Sequence, residues 1–211
     1  KAEKVQSLFP PPQFLSVGGN VKVTIVSFAT MHQYGDLLPN FLRARKKVFI
    51  DELHWELPTT EGMEFDQYDT PFARWLIVHE YGEILGGLRL SPTTAQCGIY
   101  SYMLRDAQEG ILENIPTDVL HIKAPVKNTV WEGTRLFICD SVSASRRLGI
   151  QYLLIRNLLS AAKELGAEHL IGFVPSHWHR WIRRMGLQAV AIGPKIEIEG
   201  SVSQAALMKV L

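Results

Sequence analysis

Apolar and polar positions alternate or recur along the chain in ways that predict a series of strands and helices. Val21–Phe28 is rich in β-branched residues, which predicts a first strand. Apolar residues then recur at helical spacing and predict a helix over Tyr34–Asp51, in which Pro39 fits if the helix proper begins there. The next stretch, Glu52–Thr70, carries Pro58, paired threonines and mixed charge, so we predict a long ordered loop of the kind that is usually functional.

A hairpin and further strands follow this loop. Arg74–His79 and Ile84–Leu90 are apolar runs joined by the short segment EYGE, which predicts a β-hairpin. Ser91–Lys127 is irregular in pattern, apart from a short helix that we predict near Met103–Gly110. Val130–Ile138 predicts another strand.

The rest of the chain predicts helices alternating with strands. Apolar positions from Ile150 to Leu165 recur with helical periodicity, and Gly166 is placed to end that helix. The further predicted elements are a strand at His169–Val174, a helix at Ser176–Met185, a strand at Gln188–Ile192 and a last pair of strands beyond Pro194. This order indicates an α/β fold, in which helices cover both faces of a mixed sheet.

Length and composition narrow the class of protein. The 211 residues, 46% of them hydrophobic, predict one domain at 21–211 after a flexible arm at 1–20 that contains a proline run. A net charge of +1 and the lack of a recognition module argue against nucleic-acid binding. No apolar stretch approaches the roughly 20 residues of a membrane helix. We therefore expect no stable membrane association. The two cysteines lack CxxC spacing and cannot form a disulfide framework, so we expect a cytoplasmic protein.

The segment SRRLGIQYLL suggests a site for an anion. A strand leads here through a basic, glycine-containing turn into an amphipathic helix, whose first turn offers unpaired N–H groups and partial positive charge. Gly149 would let a phosphate approach closely, and Arg146 and Arg147 would flank it. An ordinary strand-to-helix turn explains the same residues equally well.

The position of this turn resembles the pyrophosphate or pantetheine turn of the GNAT acyltransferases. Within that frame, the segments RKKVF, HWELP, FDQYD, GGLRL and WEGTR resemble the acyl-homoserine-lactone synthases in order and spacing. The matching positions are Arg45, Phe49, Trp55, Asp66, Asp69, Arg89, Glu132 and Arg135. SYMLRD belongs to the same pattern, and the match extends from about Leu42 to Gly149.

This resemblance implies a fold and a reaction. The implied fold is a GNAT-like three-layer α-β-α arrangement around a mixed, mostly antiparallel sheet. In the implied reaction, the amine of S-adenosylmethionine attacks an acyl thioester carried by acyl carrier protein or by coenzyme A. The carboxylate then closes on the γ-carbon, which releases methylthioadenosine and the acyl-homoserine lactone, a quorum-sensing signal. S-adenosylmethionine is a substrate here, and the resemblance implies no cofactor and no metal.

The resemblance also assigns roles to residues. It places Arg45, Asp66, Asp69, Arg89, Glu132 and Arg135 in the catalytic framework, and Phe49, Trp55, Asp66 and Arg135 at S-adenosylmethionine. It assigns Arg146, Arg147 and Gly149 to the phosphopantetheine of the acyl donor. The substrate carries a sulfonium, an ammonium and a carboxylate, so aromatic faces, acids and arginines suit it together. The aspartates suit either the ammonium or the ordering of the arginines.

Simpler explanations exist for several of these residues. Phe49 and Trp55 also fit a hydrophobic core, and the two aspartates fit a solvated turn. Glu132 and Arg135 are three residues apart, so on a regular strand they would face opposite sides of the sheet. Sharing one site requires a bulge, for which Gly133 is suited.

Two other functions stay open at this point. One is a GNAT N-acyltransferase that acts on a different amine, and the other is a non-catalytic protein that senses S-adenosylmethionine or an acyl carrier. The chain also departs from the family pattern at Gln108, where an aromatic residue is usual. The length and substitution of the acyl chain depend on pocket volume, which the sequence leaves open.

Overall fold

The computed structural model describes residues 19–198 and 200–210, with the backbone alone at 179, 180 and 184. Its strands are β1 (Val21–Val26), β2 (Thr59–Thr60), β3 (Met63–Glu64), β4 (Arg74–Glu80), β5 (Glu83–Pro92), β6 (Val130–Ile138), β7 (His169–Pro175), β8 (Ala189–Ile198) and β9 (Ser201–Lys209). Its α-helices are α1 (Leu37–Lys46), α2 (Met103–Gln108), α3 (Ala144–Glu164) and α4 (Trp178–Arg184). Most of the predicted arm, residues 1–18, lies outside the described residues, and the single domain at 21–211 stays a prediction.

Seven of the strands form one mixed sheet in the order β1-β4-β5-β6-β7-β9-β8. Neighbouring strands are antiparallel except for β6 and β7, which are parallel. The predicted mixed and mostly antiparallel sheet is therefore confirmed. The two remaining strands, β2 and β3, pair with each other inside the segment predicted as a loop.

Helices cover both faces of this sheet, as predicted. Alternate side chains of a strand point to opposite faces. On β4, Leu76 and Val78 pack in a core beneath α3, whereas Trp75 and Ile77 pack in a second core beneath α1. Helix α2 contributes to a third core, which includes Ile171 of β7. The sheet is thus the middle of three layers.

The predicted hairpin between β4 and β5 is confirmed. Its turn is formed by Tyr81 and Gly82, which have φ values of 51° and 88°. Two successive residues with positive φ give a turn whose twist matches that of antiparallel strands.

Close packing at Gly87 of β5 brings α1 against the sheet. A Cβ atom added there would lie 2.3 Å from the carbonyl oxygen of Leu76 and 2.7 Å from the ring of Phe41 on α1. Only glycine fits this approach of helix to strand. Because α1 carries Arg45, this packing helps to fix the depth at which that side chain enters the site.

The helix predicted over Tyr34–Asp51 is shorter and changes type. It begins at Leu37, so Pro39 lies in its first turn, where the missing N–H has no helical partner to lose. After Lys46 the backbone widens into a π-helical turn at Lys47–Glu52. Such wide turns recur at functional sites because they redirect side chains relative to a regular helix.

A bulge lies on β6, but not at the glycine where it was expected. Gly133 pairs regularly with Leu90, and the register of β6 against β5 shifts between Thr134 and Phe137. Arg135 within this shift has a φ of 56°. The prediction of a bulge is correct, and its assignment to Gly133 is wrong because Arg135 itself takes the unusual conformation.

Strands β6 and β7 separate after a short paired region. Their pairing covers Val130–Glu132 on β6 and His169–Ile171 on β7, although both strands continue further. The unpaired parts diverge and leave an opening through the sheet.

Two boundaries in the carboxyl-terminal part differ from the predictions. Helix α3 begins at Ala144, six residues before the predicted start at Ile150, so the predicted basic turn is helical. Ala189–Ile198 form one long strand, β8, which joins the strand predicted at Gln188–Ile192 to the first of the predicted last pair and passes through Pro194 with a register shift against β9. An edge strand tolerates proline because its outer N–H has no ladder partner.

Candidate active site

Six charged side chains from separate parts of the chain meet on the α1 face of the sheet. They are Arg45 of α1, Glu64 of β3, Asp66 and Asp69 of the turn after β3, Arg89 of β5, and Arg135 of β6. Five of them are buried, and Arg135 is partly exposed, with 11% of its side chain accessible. We call these six residues the charged network.

Arg45 and Arg89 each donate two hydrogen bonds to one aspartate. Arg45 donates to both carboxylate oxygens of Asp69, at 2.7 and 3.0 Å, and also pairs with Glu64. Arg89 donates to both oxygens of Asp66, at 2.5 and 3.1 Å, and its Nη1 lies 2.9 Å from Asp69 Oδ1. Bidentate pairs of this kind fix the geometry of both partners.

Arg135 completes the charge balance of the network. Its Nε and Nη2 atoms each lie 3.2 Å from Glu64 Oε1, and Nη2 also donates to Asp66 Oδ2 at 2.9 Å. Three guanidinium groups thus face three carboxylates, and their formal charges cancel. Such pairing is what allows so many ionised groups to be buried.

The two aspartates have little acceptor capacity left for a substrate. Asp66 Oδ1 also accepts the backbone N–H of Tyr68 at 2.8 Å. Asp69 accepts the backbone N–H of Asp66 at 2.9 Å and the indole N–H of Trp75 at 3.0 Å. Since each carboxylate oxygen has two lone pairs, both aspartates are occupied in ordering the arginines.

The arginines reverse the effect that burial has on these acids. Burial raises the pKa of Asp66, but Arg89 and Arg135 outweigh it and hold the pKa below its ordinary value. Burial likewise opposes ionisation of Asp69, and Arg89 and Arg45 again lower its pKa. Burial lowers the pKa of Arg89, and the two aspartates more than offset this, so that its pKa is raised. Asp66, Asp69 and Arg89 therefore stay ionised at neutral pH.

Glu132 occupies a different kind of buried position on β6. Its two oxygens accept the backbone N–H groups of Met103 and Leu104, at 3.0 and 2.9 Å, in the first turn of α2. Burial raises the pKa of Glu132 to about 7, and the two N–H groups and the charge of Arg89 offset only part of that effect. Glu132 fixes α2 to β6 and makes none of the ion pairs found in the described part of the chain.

The SYMLRD segment holds Tyr68 in place. Asp106 of α2 accepts the phenolic O–H of Tyr68 at 3.0 Å, and it also accepts the hydroxyl of Ser101 at 2.5 Å. The guanidinium carbon of Arg89 lies 5.7 Å from the centre of the Tyr68 ring. Burial, followed by the charge of Asp106, raises the pKa of Tyr68, so this phenol stays protonated.

Aromatic rings form a second wall beside the charged network. Phe49, in the π-helical turn, stacks on Trp55 with ring centres 5.0 Å apart, and it meets Phe137 edge-on at 5.8 Å. The guanidinium carbon of Arg135 lies 5.7 Å from the Phe49 ring centre. Such faces attract cations, and a sulfonium would be one.

A cavity of about 1100 Å³ begins at these walls and passes between the diverging parts of β6 and β7. Phe49, Trp55, Asp66, Tyr68 and Arg135 line its first part. The part beneath α3 is lined mainly by apolar side chains, among them Leu154, Leu158, Leu170, Trp178 and Met208. Arg45, Asp69, Arg89 and Glu132 lie behind the wall and do not line the cavity.

The residues predicted to bind the acyl donor are not brought into this cavity wall. Arg146 donates to Glu80 at 2.9 Å, and Arg147 donates to the carbonyl oxygen of Ile138 at 3.1 Å. Gly149 is buried in the second turn of α3. The three residues sit in the first turns of a helix rather than in a turn before it, and their role with the donor stays a prediction.

Sequence reasoning missed Glu64 and Tyr68. Glu64 is fully buried and pairs with both Arg45 and Arg135, so it connects two arginines of the network as the two aspartates do. Both residues lie in the segment EFDQYD, in which the predicted site residues are the two aspartates. Glu64, Asp66 and Tyr68 are spaced two residues apart, which in a strand would place them on one face. The predicted loop gave no reason to expect such a shared face.

No group of three or more His, Cys, Asp or Glu side chains in 19–198 and 200–210 is placed to hold a metal ion. None of the helices there is both long and apolar enough to cross a membrane.

The three layers and the opening between β6 and β7 define a GNAT-like fold. A solved acyl-CoA N-acyltransferase from Pseudomonas aeruginosa shares this fold, with a TM-score of 0.58 and 16% identity over 89% of this chain and 99% of that one. A solved CoA-dependent acyl-homoserine-lactone synthase, BjaI, in complex with S-adenosylmethionine and isopentyl-CoA, is more similar. Its TM-score is 0.74, with 21% identity over 91% of this chain and 84% of that one.

The family follows from the sequence comparison. The profile of the autoinducer synthase family matches residues 29–210, so the chain belongs to that family. The acyl-homoserine-lactone synthase of Vibrio anguillarum is 29% identical over 174 residues, which cover 80% of this chain and 83% of the relative. The resemblance noted in the sequence is thus confirmed over most of the chain.

Proposed function

We propose that this protein is an acyl-homoserine-lactone synthase. It transfers an acyl chain from a thioester to the amine of S-adenosylmethionine, and lactonisation then releases methylthioadenosine. The observation that carries the proposal is the wall formed by Arg135, Asp66, Phe49 and Trp55 at the mouth of the cavity. The charged network and the aromatic stack suit S-adenosylmethionine, which carries an ammonium, a carboxylate and a sulfonium. The apolar passage that opens from them suits the acyl chain of the donor.

Within this proposal, Arg135 and the aromatic pair are the groups that touch S-adenosylmethionine. Arg135 is the network arginine that lines the cavity, so its guanidinium is placed to bind the substrate carboxylate. The Phe49–Trp55 stack offers faces to the sulfonium, a contact worth on the order of 0.5–2 kcal/mol.

The other framework residues act through Arg135 and Asp66. Arg89 and Asp69 are positioning residues, because they lie behind the wall and bond directly to Asp66. Arg45 is a positioning residue one step further back, since it bonds to Asp69 and Glu64. Glu64 has the same role toward Arg135. Glu132 positions α2, which holds Tyr68 through Asp106.

The proposal extends to the setting of the reaction. S-adenosylmethionine serves as a substrate, and the chemistry requires no metal and no further cofactor. The donor is an acyl carrier protein or coenzyme A thioester. Both Cys97 and Cys139 are unpaired, which suits a cytoplasmic location. Strands of one sheet run from Val21 to Lys209, which supports a single acyltransferase domain at 21–211.

The test is mass spectrometry of the purified protein mixed with S-adenosylmethionine and a series of acyl carrier and coenzyme A thioesters. We expect methylthioadenosine and an acyl-homoserine lactone in equal amounts. Acylated amine without methylthioadenosine would identify an N-acyltransferase that does not form lactones. Tight binding of S-adenosylmethionine without any product would identify a sensor.

A matched pair of variants tests the role given to Arg135. Arg135→Gln should raise the KM for S-adenosylmethionine strongly, because the carboxylate loses its bidentate partner. Arg156→Gln, on the exposed surface of α3, makes the same chemical change outside the cavity and should leave the kinetics unchanged. Equal kinetics for both variants would remove Arg135 from the substrate site.

A further inference from the structure

One polar side chain of α3 faces the apolar part of the cavity. Gln151 lines the cavity in the third turn of the helix, and the next two turns present Leu154 and Leu158 to the same space. Leu170 of β7 and Trp178 of α4 line the same region. An amide placed in such surroundings is costly unless its hydrogen-bonding groups are satisfied.

The orientation of this amide is fixed by its neighbour. The indole N–H of Trp181 donates to Gln151 Oε1 at 3.3 Å. Because an indole can only donate, the oxygen of Gln151 must face Trp181, and the NH2 group must point elsewhere. No acceptor among residues 19–198 and 200–210 bonds to that NH2 group. Gln151 therefore presents two unused donors at the cavity wall.

We propose that Gln151 selects acyl chains that carry an oxygen substituent, such as 3-oxoacyl or 3-hydroxyacyl thioesters, by donating a hydrogen bond to that oxygen. This inference rests on the proposed synthase function and names its substrate class. In the empty cavity, water can satisfy the amide, and a bound acyl chain expels that water. An oxygenated chain replaces the lost bond, whereas a plain alkyl chain leaves the amide donors unsatisfied.

The difference between the two chains is what produces selectivity. A buried donor that loses its partner costs more than an ordinary hydrogen bond gains. A site built around a polar group for this reason discriminates better than a purely apolar pocket, which separates similar chains weakly. Trp181 is a positioning residue in this scheme, since its N–H sets which end of the amide faces the chain.

The experiment compares kcat/KM for octanoyl and 3-oxooctanoyl thioesters on the same carrier, with methylthioadenosine release as the readout. We expect the wild-type protein to prefer the 3-oxo chain by about tenfold. Gln151→Met keeps the length of the side chain and removes the donors, so it should bring the ratio close to one. Trp181→Phe keeps an aromatic ring and frees the amide to rotate, so it should reduce the ratio partly.

Asn157→Leu is the matched control, because it removes an amide from the same helix. Asn157 donates to the carbonyl oxygen of Leu153, outside the cavity wall, so this variant should keep the wild-type ratio. Equal rates for the two thioesters in the wild-type protein would overturn the inference. So would a preference that survives in Gln151→Met. Failure of both thioesters to release methylthioadenosine would instead count against the proposed function, and against the inference that rests on it.

Discussion

Two buried acidic regions lie on the same face of the sheet and respond to burial in opposite ways. In the charged network, the pKa values of Asp66 and Asp69 are lowered, although burial opposes their ionisation. At Glu132, burial prevails and raises the pKa to about 7. The difference is that arginines bond directly to the two aspartates, whereas Glu132 receives backbone N–H groups. Depth of burial alone therefore does not set the ionisation of an acid, and its direct partners do.

The two regions consequently depend on pH with opposite signs. The network aspartates contribute stability that is present above their ordinary pKa of 3.8 and is lost as the pH falls below it. Glu132 contributes stability in its neutral form, which is fully present below its ordinary pKa of 4.5 and is lost as the pH rises through about 7. Substitutions in each region test this contrast, and we expect the largest effect from the loss of Arg89.

Removing one arginine should break the charged network. Arg89→Met leaves Asp66 and Asp69 buried with one direct cationic partner fewer each, and it removes the bond from Arg89 to Thr134. We expect the free energy of unfolding to fall by about 3–5 kcal/mol, because two guanidinium groups are then left to balance three buried carboxylates. Urea unfolding at pH 7 measures this, and the pKa of Asp66 should rise. A loss below 1 kcal/mol would mean that burial and pairing are not coupled here.

Replacing Glu132 should change the stability with pH in the opposite direction. Glu132→Gln removes the carboxyl group that titrates. The wild-type protein loses stability between pH 4.5 and pH 7 as this carboxyl would ionise, and the variant does not. We expect the difference in unfolding free energy to move in favour of the variant by about 3 kcal/mol across that range. Unfolding curves at several pH values measure it. Parallel curves would show that the pKa of Glu132 is not raised.

The backbone at Arg135 gives a smaller, conformational test of the network. Arg135 has a φ of 56°, which costs a residue with a Cβ more than it costs glycine. Arg135→Ala and Arg135→Gly both lose the pairs with Glu64 and Asp66, but the glycine variant should be more stable by about 1 kcal/mol. Thermal unfolding of the two variants side by side measures this difference. The reverse order would argue against the bulge.

The ion pair between Arg105 and Glu109 should give the smallest change in the free energy of unfolding. Arg105 bonds Glu109 at 2.8 Å, and their side chains are 30% and 47% exposed. Arg105→Gln should change the unfolding free energy by no more than about 0.5 kcal/mol, because solvent screens such pairs. The same urea experiment provides the measurement. A loss comparable to that of Arg89→Met would show that pairing matters at this site regardless of burial.

Much of the fold followed from local patterns. The β4–β5 hairpin was predictable because its turn sequence and flanking apolar runs act over a few residues. The amphipathic periodicity of α3 likewise gave its end, although the start was placed too late because its first turns carry polar residues. The positions of β2, β3 and the π-helical turn depended on packing against α1 and the sheet, which a local pattern does not contain.

The sequence by itself determined the family of the chain and predicted its site residues, because motif order and spacing are properties of the chain. The tertiary structure alone decided which of them reach the cavity, since that depends on strands far apart in sequence. It brought Glu64 between Arg45 and Arg135, moved the bulge onto Arg135, and placed Gln151 against Trp181. It also set the opposite pKa shifts of Asp66 and Glu132, because ionisation depends on which charges folding places within a few ångströms.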